Sequence, residues 1–98
     1  MEPPENIGLV QGTREPDPKY LDQPLDSFIG NHVKLSFDTL DDRKEIMWVR
    51  VTSMAENEGE ELRGILDNDP VLPMDVACGD IIEFSRSEVI DFLEAEKS

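Results

Sequence analysis

Reactive side chains are scarce in this sequence. Its 98 residues include one cysteine, Cys78, one histidine, His32, one tryptophan and one tyrosine. A lone cysteine excludes an internal disulfide, so nothing demands an oxidising compartment. One cysteine and one histidine cannot supply the Cys/His ligand set of a structural zinc site. Bases are scarce as well: nine Lys and Arg stand against 23 Asp and Glu, for a formal net charge of −14. That balance excludes binding along a nucleic-acid backbone, where cations must replace condensed counterions. It argues equally against anionic membrane surfaces. No apolar run approaches the ~20 residues needed to span a bilayer, and Met1–Glu5 has neither the basic nor the apolar region of a secretory signal. The expectation is a cytoplasmic protein with no cofactor, no resident metal, no nucleic acid and no membrane partner. Its oligomeric state is left open.

What the sequence does have is strand and turn signals, enough for one domain with a thin core. Residues 1–18 carry prolines at 3, 4, 16 and 18 and read as an extended arm, partly disordered, because each ring fixes φ and restricts its predecessor. Ile7, Leu9 and Val10 offer a short edge strand within it. Residues 19–98 read as a single α+β domain. Leu21, Leu25 and Phe28 have the spacing of one helical face, with Pro24 in the first turn and Gly30-Asn31 as a left-handed stop, predicting a short N-terminal helix. Val33, Leu35 and Phe37 alternate with polar residues as in a half-buried strand. Ile46–Val51 is broken only by Arg50 and reads as a central strand covered on both faces, with Trp48 as its largest burial. Leu62–Leu66 and Ile81–Phe84 add strands, with turns at Asn68-Asp69-Pro70 and Gly79-Asp80. Trp48, Gly64, Asn68, Pro70, Gly79 and Asp80 are the expected structural anchors. Ser85 and Glu88 fit a capping box, and Val89, Ile90, Phe92 and Leu93 give the segment after it an apolar helical face, so a C-terminal helix is expected. The whole reads as a small, strongly curved antiparallel sheet, an SH3-like half-barrel flanked by these two helices.

Catalytic constellations are weak. Cys78 has acidic surroundings, which suppress a thiolate, and reads as a small buried hydrophobe beside a turn. His32, at a strand start, reads as half-exposed. Asp67-Asn68-Asp69 imitates a calcium loop but lacks the glycine hinge and the distal bidentate glutamate. No catalytic residue is assigned. Charge is distributed more tellingly, since Gly64–Ser85 contains no Lys or Arg but does contain Asp67, Asp69, Asp75, Asp80 and Glu83. Glu56, Glu58, Glu60, Glu61, Asp67 and Asp69 flank one short strand and form the candidate binding patch, suited to a basic partner.

The motifs Val33-Lys34-Leu35-Ser36-Phe37, Glu45-Ile46-Met47-Trp48-Val49, Gly64-Ile65-Leu66-Asp67-Asn68-Asp69-Pro70, Gly79-Asp80-Ile81-Ile82-Glu83-Phe84 and Val89-Ile90-Asp91-Phe92 resemble, in order and spacing, the YegJ-like bacterial domain of unknown function. The resemblance covers about residues 32–93, with Phe92 standing where that family often has Trp. A related group looks like immunity proteins of bacterial toxin systems. The resemblance implies a binding role and no established chemistry.

Two functional expectations follow. The first is a non-enzymatic acidic module that binds a basic protein, in an immunity or regulatory role. The alternative is a small carboxylate- or metal-dependent hydrolase using Asp67, Asp80 and Glu83, and behind both stands a purely structural role.

Overall fold

The computed structural model describes residues 15–95, so the edge strand expected at Ile7, Leu9 and Val10 lies outside the described residues. The described residues form one open antiparallel sheet of five strands in the order β4-β3-β2-β1-β5. They are β1 His32–Asp38, β2 Lys44–Met54, β3 Leu62–Leu66, β4 Ile81–Phe84 and β5 Asp91–Leu93. Period-two alternation explains the first pair. Val33 opposes Val49 and Leu35 opposes Met47, which puts the apolar residues of both strands on one face. There they join Val51, Leu62, Leu66 and Phe84, under Tyr20, Phe28 and Val89, to make the core. Burial is continuous from Glu45 to Val49, so β2 is the doubly covered central strand that its apolar run predicts. Trp48 is buried too, but its even position turns it to the opposite face, away from Phe37 and Phe84.

Gly64 lets β3 come close to β2. A Cβ there would lie 2.6 Å from the Arg50 carbonyl oxygen and 2.6 Å from Val49 Cγ1. The register then shifts at a bulge between Val51 and Ser53, which bends the hairpin.

Both expected helices are corrected. The capping box does form, with Glu88 Oε2 accepting from the Ser85 N–H at 2.9 Å, but it closes only a 3-10 turn over Arg86–Glu88. Val89 is already extended at φ −75°, ψ 123°. Asp91–Leu93 then becomes β5, with Phe92 opposite Val33 of β1. Two physical reasons favour this outcome. Val89 and Ile90 are β-branched and stiff at χ1, and a helix of ~10 residues is marginal on its own. The outer edge of β1 also carries backbone groups that need partners, and a strand supplies them where a helix would not. At the other end, Pro24 is extended at ψ 142° and divides the segment into 3-10 turns Pro18–Asp22 and Leu25–Phe28. Leu21 is left 48% exposed while Phe28 is fully buried. Gly30 does take a left-handed φ of 89°. The architecture is therefore an open sheet with short turns packed on it, and the α+β half-barrel with a C-terminal helix is not what forms. Among the described residues no helix is long and apolar enough to cross a membrane.

Candidate functional site

The β2–β3 hairpin tip holds most of the predicted acids, and Glu83 of β4 ties it down. The Glu83 carboxylate accepts from the backbone N–H groups of Glu56 at 2.8 Å and Asn57 at 3.2 Å, and from the Asn57 side chain. It also accepts from Nε of Arg63, its cross-strand neighbour, at 3.0 Å. These donors, the Glu56 N–H foremost, hold its pKa down at about 2. Arg63 reaches on to Glu56 at 3.3 Å. Glu61 accepts from Arg86 Nε at 3.2 Å and from its backbone N–H at 2.9 Å, and these bonds lower the Glu61 pKa. The same guanidinium donates to the Gln23 carbonyl at 2.9 Å. Glu61 thus joins the hairpin to the turn after β4 and to the N-terminal turns. Glu60 takes a 3.3 Å hydrogen bond from the Ser85 hydroxyl, and Glu58 is exposed.

At the far end of β3 the carboxylates are again divided in role. Asp67 Oδ2 meets His32 Nε2 at 2.9 Å, and Asn68 Oδ1 accepts from the Trp48 backbone N–H. Asp80 Oδ2 accepts from the Ala77 N–H at 2.9 Å and closes the turn in which Gly79 takes φ 98°. After Pro70, the N–H groups of Val71 and Leu72 donate to the Glu45 carboxylate at 2.9 and 2.8 Å. Glu45 is fully buried and pins the 67–80 loop to β2. Sequence reasoning missed it, although its parity with Met47 and Val49 puts it on the core face, where a carboxylate needs donors. Asp69 is exposed. Cys78, expected to be buried, is exposed. Its thiol pKa is raised, by desolvation first and then by the Asp69 and Asp67 carboxylates.

His32 corrects another expectation, being only 1% exposed. The Asp67 carboxylate supplies the partner that makes its burial tolerable. Its ring packs edge-on to Trp48 with centroids 6.4 Å apart, and Lys34 Nζ lies 5.0 Å from the centre of the Trp48 ring. This polar cluster occupies the sheet face opposite the core. His32 Nδ1 and Trp48 Nε1 are buried there with no hydrogen-bond partner among the described residues.

The predicted binding acids are therefore not one patch. Glu56, Glu58, Glu60 and Glu61 stand at one end of β3, and Asp67 and Asp69 at the other. The five residues between them make ~16 Å of strand. Glu61 and Asp67 have structural partners, Glu56 has a partial one, and Glu58, Glu60 and Asp69 face solvent. The hydrolase set is also dispersed: Asp67 faces His32, Asp80 closes its own turn, and Glu83 clamps the hairpin. Among the described residues no three His, Cys, Asp or Glu are grouped as a metal ion would require.

No curated protein and no solved structure matches the chain. Residues 25–98 match the family model described as "Uncharacterized protein conserved in bacteria (DUF2314)". That span takes in every strand of the sheet, and the chain belongs to this bacterial family of uncharacterized proteins.

Proposed function

We propose that this chain is a non-enzymatic acidic module that binds a basic protein partner, in an immunity or regulatory role. The observation that carries the reading is the pairing of charges. Arg43 lies against Asp41, Lys44 against Asp38, Arg63 against Glu56 and Glu83, Arg86 against Glu61, and Lys19 against Asp17. Internal partners thus take up most of the few bases. Glu58, Glu60, Asp69 and Asp75 are left exposed, with no Lys or Arg from Gly64 to Ser85, and Arg63 and Arg86 on either side of that span held in ion pairs. Such an unbalanced surface raises the association rate of a cationic partner. The test is a charge-reversed variant, Glu58→Lys with Glu60→Lys and Asp69→Lys, used beside wild type to capture proteins from bacterial lysate at low and high salt. A basic protein held by wild type at low salt and lost from both the variant and the high-salt sample supports the reading. An identical captured set in all samples overturns it.

A further inference from the structure

We propose that the outer edge of β4 receives an extended segment of a basic partner as a sixth strand. This deepens the acidic-module reading and rests on it. The first observation is the edge itself. Among the described residues β4 pairs only with β3. The Leu66 N–H donates to the Asp80 carbonyl at 2.9 Å, and the Phe84 carbonyl accepts from the Glu61 N–H at 3.1 Å. Antiparallel alternation then turns the N–H and C=O groups of Ile81 and Glu83 away from β3, towards the open side.

The second observation is that, shortness apart, the usual guards of an edge strand are missing. Natural sheets protect edges by keeping them short or with charge, proline, a bulge or a covering segment, and β4 has only its four-residue length. β4 has no proline, and its register with β3 is unbroken. Its one charge, Glu83, is turned back onto Glu56, Asn57 and Arg63. Ile81 is 59% exposed. At the opposite edge of the sheet the chain leading into β5 is covered, since the Asp17 N–H donates to the Val89 carbonyl at 3.0 Å.

The third observation selects the occupant. Acidic side chains bracket this edge. Asp80, exposed, directly precedes its first residue. At its end Ser85 Oγ contacts the Gly59 carbonyl at 3.4 Å and Glu60 at 3.3 Å, which brings the Glu58–Glu60 tip alongside. A strand laid on four residues of β4 spans ~13 Å. With an apolar residue beside Ile81 and a base at each end, it meets carboxylates at both ends. The same carboxylates oppose pairing with a second copy of this acidic chain. Main-chain bonds supply the affinity in such strand addition, and the flanking charges supply selectivity.

The probe is the peptide Lys-Lys-Val-Thr-Val-Lys-Lys, with Lys-Lys-Pro-Pro-Pro-Lys-Lys as an equally charged control that cannot pair as a strand. Each is titrated into the full chain, with amide shifts and hydrogen exchange followed by NMR. The expected result is binding of the first peptide at least tenfold tighter than the second, with slowed exchange at the Ile81 and Glu83 amides. Ile81→Lys, at an exposed position, should weaken the first peptide at least tenfold while the fold is kept. Equal binding of both peptides, with shifts confined to residues 56–60 and Asp69, would overturn strand addition and leave the acidic-module reading standing. No binding of either peptide at low salt would overturn both.

Discussion

Replacing Gly64 with alanine puts the packing of the central hairpin to a quantitative test. The added Cβ would sit 2.6 Å from the Arg50 carbonyl oxygen and 2.6 Å from Val49 Cγ1. The valine can adjust, but the carbonyl belongs to the β2 backbone, so relief requires β2 and β3 to separate. Overpacking of this kind costs ~2–3 kcal/mol. Lower entropy of the unfolded alanine chain offsets ~0.5–1 kcal/mol of that, leaving a net loss of ~2 kcal/mol. With a urea m-value of ~2 kcal/mol/M the unfolding midpoint should fall by ~1 M. Gly59→Ala is the matched control: Gly59 has φ 92° but nothing within 4 Å of a built Cβ. Its penalty is left-handed strain alone, ~1 kcal/mol before the same offset. Urea titrations followed by Trp48 fluorescence measure both. If Gly64→Ala lowers the midpoint no more than Gly59→Ala does, the close approach of β3 to β2 is refuted.

Three further outcomes are expected. Trp48→Ala should destabilise the fold by ~3–5 kcal/mol, and wild-type Trp48 should emit at the short wavelengths of an enclosed indole; emission typical of full water exposure would contradict its burial. Glu83 and Asp41 ionise at about 2 in the fold, below their ordinary 4.5 and 3.8, so they add stability above the ordinary values and lose it as pH falls towards 2. Melting temperature should therefore drop across that window, and Glu83→Gln should lower it at neutral pH while flattening the acid fall; an unchanged acid slope counts against the Glu83 clamp. At net charge −14 self-repulsion opposes the compact state, so added NaCl should raise the melting temperature, most steeply below the ionic strength at which the Debye length reaches ~8 Å; a flat or falling trend contradicts this.

Strands β1 to β4 were legible because each is announced locally. Val33, Leu35 and Phe37 alternate, Ile46–Val51 is a nearly unbroken apolar run, and Gly64 and Gly79-Asp80 mark close approach and turn. The C-terminal segment was not legible, because a true capping box at Ser85 and Glu88 is compatible with one turn as well as with a helix. What decided it was the unpaired edge of β1, more than fifty residues earlier in the chain. The site suffered from the same dependence on long-range contacts. Glu83 was read as a candidate acid, but its donors at Glu56, Asn57 and Arg63 arrive through the hairpin. His32 looked half-exposed because Asp67, its partner, lies 35 residues away. The acids flanking β3 were identified by position, yet a strand separates its two ends, and so one expected patch became two groups.

The most direct test of the central claim is the association rate with the captured basic partner, measured by stopped flow against NaCl concentration for wild type and for the variant with Glu58→Lys, Glu60→Lys and Asp69→Lys. The expected result is a wild-type rate that falls at least tenfold from low to high salt, with a slower variant whose rate changes little or rises, while dissociation rates change less. A wild-type rate independent of salt and equal to that of the variant would contradict an acidic surface built to engage a cationic protein.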